Sequence, residues 1–172
     1  MEKKKTKSVC FTGHRRLELS EETHALLISQ LKELINDGYC DFYAGGALGW
    51  DTICEKAVID LKREGFEVRL HLVLPCCFED QTKGWPEENK REFINIQSHA
   101  DTIEYVSEHY TSNCMKQRNQ KLVDSADTVI CYYDGRRTRS GTVQTIRMAK
   151  EKDLRIWNFF THKTKPVCLS LS

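Results

Sequence analysis

The chain has 172 residues, 40% of them apolar and 30% charged, which predicts one soluble globular domain with a full hydrophobic core. A net charge of +1 excludes a global electrostatic pull towards nucleic acid or membranes, so any anion site has to be local. The eight cysteines form no CxxC pair, and the start Met1-Glu-Lys-Lys-Lys has no apolar run after its charges. Reduced, buried cysteines in a cytoplasmic protein are therefore expected, with Cys10, Cys54 and Cys131 inside apolar patterns. Vicinal Cys76 and Cys77 fall in an expected loop and have no assigned role. No apolar run has the length of a membrane span.

Taken in order, residues 1–7 read as a frayed basic lead-in, 8–160 as the domain and 161–172 as a tail with little pattern. An apolar strand over 8–11 ends in Thr12-Gly13-His14-Arg15-Arg16. Leu27, Ile28, Leu31, Leu34 and Ile35 predict a helix over 21–37, with Ser20 capping its start and Gly38 its end. A strand over 41–44 leads into Gly45-Gly46-Ala47-Leu48-Gly49-Trp50-Asp51. A helix carrying Ile53, Cys54, Ala57, Val58 and Leu61 follows and stops at Gly65. Residues 67–74 predict a buried strand that Pro75 stops. Residues 76–85 lack periodicity and read as a loop able to cover a pocket. Pro86 suits the first turn of a helix bearing Phe93, Ile94 and Gln97. A strand over 102–106 follows, then a helix marked by Met115, Asn119, Leu122, Val123 and Ala126. A strand over 128–133 runs into Asp134-Gly135-Arg136-Arg137-Thr138-Arg139-Ser140-Gly141-Thr142. Val143, Ile146, Met148 and Ala149 then predict a last helix, and 154–160 a last strand. Tyr132 and Tyr133 are expected to divide between core and pocket wall.

Strands alternating with helices at this spacing predict a single-domain α/β fold. It is Rossmann-like and doubly wound, with a mainly parallel sheet and helices on both faces. Ligands of such sheets bind beyond the carboxyl ends of the strands, where the strand order reverses. All three glycine-bearing turns lie at strand ends, so a shared pocket for a phosphate-bearing ligand is expected.

The first turn offers Thr12, Gly13, His14 and Arg15, a hydroxyl and an imidazole beside a guanidinium able to grip phosphate. His14 reads equally as a satisfied loop histidine. In the second turn Gly45, Gly46 and Gly49 allow close backbone approach, although the spacing is not GxGxxG. Asp51 is either a first-turn acid or a carboxylate for a ribose. Arg118, next to Asn119, has no carboxylate three or four residues away, which favours a tertiary role over an intrahelical pair. In the third turn Asp134, Gly141 and Thr142 are the candidates. Arg136, Arg137 and Arg139 read also as a solvated loop. No HExxH, nucleophile elbow, Walker-type loop or cysteine–histidine cluster with ligand spacing occurs, so no metal site is expected.

Together these motifs resemble the SLOG superfamily, which unites the DNA-processing protein Smf/DprA with the cytokinin-activating LOG enzymes, and most of all its YpsA-type branch. The resemblance rests on Thr12-Gly-His-Arg15, Gly45-Gly-Ala-Leu-Gly-x-Asp51, Gln81 with Trp85, and Met115-x-x-Arg-Asn119. It continues through Leu122-Val-Asp124, Ala126-Asp127 and Tyr133-Asp-Gly135 to Gly141-Thr142. It implies a Rossmann-like fold and a pocket for a nucleotide-derived ligand such as an ADP-ribose or NAD derivative, sensed rather than transformed. It also implies, by analogy, a homodimer and a protein partner that reads the ligand. LOG phosphoribohydrolases carry PGGxGTxxE, whose glutamate helps break the base–ribose bond with the aid of an arginine. Arg118 matches that arginine, but the glutamate position falls on Thr145, the Pro-Gly-Gly is missing, and Ser140 replaces a usual glycine. Catalysis at an N-glycosidic bond would then need Arg118 with another acid, Asp51 or Asp134, and losing one positioned acid costs on the order of 10²–10⁴ in rate. Ligand binding is the leading expectation, glycosidic chemistry the alternative. Single-stranded DNA binding through Lys3–Lys5 and Arg136–Arg139 is disfavoured by the near-neutral charge.

Overall fold

The computed structural model describes residues 6–136 and 138–160, and the backbone of 167–168. Arg137, the 1–5 lead-in and the rest of the 161–172 tail lie outside the described residues. Six parallel strands and one antiparallel edge strand form a single sheet in the order β4-β3-β2-β1-β5-β6-β7. The strands are β1 (Lys7–Gly13), β2 (Tyr39–Ala44), β3 (Arg69–Leu74), β4 (Thr102–Tyr105), β5 (Thr128–Tyr132), β6 (Arg155–Asn158) and β7 (Val167–Cys168). The helices are α1 (Glu21–Asn36), α2 (Trp50–Arg63), α3 (Phe78–Gln81), α4 (Glu87–His99), α5 (Cys114–Asp124) and α6 (Gly141–Glu151). This is the doubly wound, Rossmann-like arrangement expected. The chain winds outward from β1 to β4, then returns across the sheet to lay β5 on the other side of β1.

That return creates the switch point. Phe11 pairs with Ile130, Thr12 with Cys131 and Gly13 with Tyr132, so the turns after β1 and β5 leave the sheet side by side. Helices fill the two faces separately. Leu27, Leu31 and Leu34 of α1 join Cys54, Val58 and Leu61 of α2 and Phe93 and Ile96 of α4 in one core. Leu122 and Val123 of α5 pack with Ile146, Met148 and Ala149 of α6 in the other. Both sets follow helical spacing, which is why these stretches fold as they do. Ser20 caps α1, its side chain accepting from the Thr23 N–H at 3.1 Å, and Gly38 ends that helix at φ +98°.

Several expectations need correction. Strand β2 starts at Tyr39 rather than 41, because Tyr39 pairs with Lys7 and its hydroxyl meets Thr128 at 3.0 Å. The inward face of α4 is Phe93 with Ile96, leaving Ile94 54% exposed. Residues 76–85 are not an open loop over a pocket. They contain α3, stack Phe78 and Trp85 on Phe93, and so pack on α4.

Candidate functional site

A cavity of about 1110 Å³ opens at the β1/β5 switch point, slightly larger than the roughly 300–1,000 Å³ of most small-molecule pockets. Thr12, Gly13, His14 and Arg15 from the β1 turn line it, with Asp51 from α2, Arg118 and Asn119 from α5, and Gly141 and Thr142 from α6. Residues far apart in the chain thus meet because two crossovers of opposite direction start from neighbouring strands.

The charge around the cavity is lopsided. Among the described residues that line it, Arg15, Arg16, Lys116, Arg118, Arg139 and Arg147 are set against Asp51 and Glu151. Helix α6 begins at the same wall. The Ser140 hydroxyl accepts from the Val143 N–H at 3.2 Å, while the helix N-terminus formed by Gly141 and Thr142 lies along the cavity. A helix N-terminus carries roughly half a positive charge, which adds to the guanidiniums.

The Gly45–Asp51 turn behaves differently from what its glycines promised. Gly45, Gly46 and Gly49 do not line the cavity. The Gly46 N–H donates to Glu55 Oε1 at 3.1 Å and the Ala47 N–H to Asp51 Oδ2 at 3.2 Å. The Trp50 N–H goes to the His14 carbonyl at 3.0 Å. Two acids of the following helix therefore consume the amides that an anion would need. The glycines serve packing instead. A Cβ on Gly45 would strike the Arg118 guanidinium, and one on Gly49 the carbonyl oxygens of His14 and Arg15.

Beneath the cavity lies a buried ionic cluster. Arg118 is 6% exposed, donates through Nε to Asn119 Oδ1 at 2.8 Å and caps the Gly45 carbonyl with a terminal nitrogen. Asn119 in turn donates to Gln144 Oε1 at 3.2 Å, tying α5 to the first turn of α6. Burial pushes the Asp51 carboxyl up, opposed by the Arg118 guanidinium and the Ala47 N–H. Burial also pulls Arg118 down, with Asp51 resisting. Glu55 is fully buried, and desolvation, reinforced by the Asp51 charge, raises it well above the carboxylate range. Its Oε2 has no hydrogen-bond partner among the described residues.

His14 and Asp134 form a different unit. The Asp134 N–H donates to His14 Nε2 at 2.9 Å, and Asp134 Oδ1 accepts from the Arg136 N–H at 2.9 Å. His14 is thus a satisfied loop histidine that joins the two turns while one side faces the cavity, and Asp134 does not line it. Thr145, at the LOG glutamate position, is fully buried, its hydroxyl donating to the Gly141 carbonyl at 2.8 Å. Tyr132 packs against the first core and Tyr133 against the second. Gln81 of α3 donates to the Gly46 carbonyl at 3.0 Å, which fastens α3 to the turn rather than over the cavity.

Sequence reasoning missed Glu55, Lys116, Gln144 and Arg147. Only Glu55 left a signal, since it sits four residues after Asp51 on the buried stripe of α2, where a carboxylate is out of place. It also missed that Cys77, Asp80 and His109 come together, because they are separated in the chain. Among the described residues no helix is long and apolar enough to cross a membrane.

Comparison with known proteins agrees with this architecture. The chain is 27% identical over 139 residues to a UPF0398 protein of Staphylococcus epidermidis, covering 74% of this chain and 73% of the relative. A UPF0398 protein of Staphylococcus aureus is 24% identical over 139 residues, with the same coverage. The fold is similar to that of DNA processing protein A from Helicobacter pylori, whose structure describes its single-stranded DNA binding mode. That match has a TM-score of 0.61 at 18% identity and covers 93% of this chain and 68% of the other. It is also similar to the molybdenum cofactor carrier protein of Chlamydomonas reinhardtii, with a TM-score of 0.54 at 13% identity, covering 90% and 76%. The sequence model of the YspA SLOG family, a YpsA model, matches residues 9–161, the stretch that holds all but the first two residues of the six parallel strands and every residue lining the cavity, and the chain belongs to that family.

Proposed function

We propose that the chain binds a phosphate-bearing, nucleotide-derived ligand of the ADP-ribose or NAD class in the switch-point cavity, as a cytoplasmic sensor read by a partner. The observation that carries the reading is the convergence of six cationic side chains and the α6 N-terminus on one cavity. The phosphates lie against Gly141 and Thr142, within reach of Arg15 and Arg147, and Asp51 is the acceptor for a ribose hydroxyl. The structural neighbours are in keeping with a nucleotide-related ligand in the broad sense, since one is described with single-stranded DNA and another as a molybdenum cofactor carrier.

A second reading, cleavage of an N-glycosidic bond, draws on one observation. Asp51 lines the cavity with its carboxyl raised by burial, as a general acid requires. Thermal shift with mono- and dinucleotides, ADP-ribose compounds and a short oligonucleotide tests both, with chromatography for released base. A ligand at 100 times its Kd adds about 2.7 kcal/mol, or roughly 5–10 °C for a chain of this size. The double variant Arg15→Ala/Arg147→Ala, both exposed residues, loses that shift. No shift with any phosphate-bearing compound overturns the proposal. Base release abolished in Asp51→Asn favours the enzyme, and a shift with the oligonucleotide alone favours nucleic acid.

A further inference from the structure

Away from the cavity, three side chains with metal-ligand chemistry converge at the carboxyl ends of β3 and β4. Cys77 precedes α3 as its cap residue and Asp80 is three residues on, so one helical turn sets both on the same side. His109 comes from the segment after β4. The backbone holds that segment in place: the Val106 N–H donates to the Leu74 carbonyl at 3.0 Å and the Cys77 N–H to the Glu108 carbonyl at 3.0 Å. The Tyr110 N–H donates to Asp80 Oδ2 at 2.8 Å, and the Ser107 hydroxyl to the His109 carbonyl at 2.7 Å. The three ligands are therefore positioned by main-chain contacts on both sides rather than by chance proximity of mobile side chains.

We propose that Cys77, Asp80 and His109 form a binding site for a zinc-class divalent ion, outside the nucleotide cavity. One ligand atom from each residue lies within 4.8 Å of the others. Cys77 Sγ is 3.9 Å from His109 Nδ1, and His109 Nδ1 is 3.4 Å from Asp80 Oδ2. Tetrahedral zinc, with bonds of about 2.3 Å to sulfur and about 2.0–2.2 Å to nitrogen and oxygen, sets those edges at about 3.6 and 3.4 Å. Two of the three ligand edges are thus within a few tenths of an ångström of the required ones, and the Cys77–Asp80 edge is no longer than 4.8 Å. Asp80 Oδ2 keeps a lone pair for the ion while accepting from Tyr110, since a carboxylate oxygen has two. A histidine that ligates through Nδ1 turns its other N–H outward. Here Nε2 lies 4.0 Å from Glu108 Oε1, beyond hydrogen-bond distance, and both side chains are largely exposed. A thiolate, imidazole and carboxylate set selects zinc over magnesium or calcium, and three protein ligands leave the fourth position to water. The ion replaces the thiol proton, which goes to solvent.

None of the three residues lines the nucleotide cavity, so the test stands apart from ligand binding. The full chain, stripped with a chelator, is titrated with Co²⁺ and then Zn²⁺. One equivalent of cobalt with a thiolate-to-metal charge-transfer band, displaced by zinc and not by excess magnesium, is the expected result. Cys77→Ser abolishes the band and His109→Gln weakens binding at least about tenfold. His109 is largely exposed, so its substitution spares the fold. A band that persists in Cys77→Ser would assign the metal to another thiol, such as partly exposed Cys40, and overturn the proposal. So would displacement by magnesium or the absence of a bound equivalent.

Discussion

Glu55 shows how much one buried side chain can reveal. Its Oε1 accepts the Gly46 N–H, while its other oxygen is buried without a partner among the described residues. Desolvation, reinforced by the Asp51 charge, outweighs the Gly46 N–H and the Arg118 guanidinium, so the folded chain holds the proton at a pH where the unfolded chain has lost it. The sign follows from linkage. A raised folded pKa means that the native state binds more protons, so Glu55 costs stability increasingly as pH rises above the unfolded value of about 4.3. Glu55→Gln keeps the shape and removes the titration. Urea melts between acid and neutral pH are expected to show the variant gaining on the parent chain as pH rises. A difference independent of pH would mean that Glu55 is ionised in the fold.

The β2–α2 turn packs closely against its surroundings at all three of its glycines. Gly49 adopts φ +80°, and a Cβ there would lie 2.4 Å from the His14 and Arg15 carbonyl oxygens, which are backbone and cannot swing aside. Gly49→Ala combines positive-φ strain with overpacking and is expected to cost about 2–4 kcal/mol. Gly65→Ala is the comparison, since it shares a positive φ of +99° but has open space around it. Its cost stays near about 1 kcal/mol. Equal losses in chemical denaturation would remove close approach as the reason for Gly49. The element also explains a misreading. Glycine, glycine and a helix start looked like an anion cradle, but the acids of α2 reach back and take the amides.

Across the whole molecule, charge is separated in space rather than in amount. A net charge of +1 hides a cavity where cations outnumber acids. Affinity for a phosphate-bearing ligand is therefore expected to weaken as salt rises, even though the protein is close to neutral. The Debye length is only about 8 Å at physiological ionic strength, so the effect is confined to contacts along the cavity wall. Isothermal titration at two salt concentrations checks this. Salt-independent affinity would place the binding energy in apolar contacts instead.

Periodicity alone carried the alternation of strands and helices, the parallel sheet and the faces of α1, α2 and α6, because burial on one side of an element repeats at a local period. The chain order of those elements was also enough to bring the β1 and β5 turns to one cavity, whereas the glycines of the second turn, expected there too, do not line it. Other features depended on which distant groups meet. The inward amides of Gly46 and Ala47, the pairing of His14 with Asp134, the docking of α3 on α4 and the Cys77–Asp80–His109 cluster join residues up to 120 positions apart. A local pattern records whether a residue is buried. It does not record its partner, and hydrogen bonds, ion pairs and metal ligands are all decided by partners.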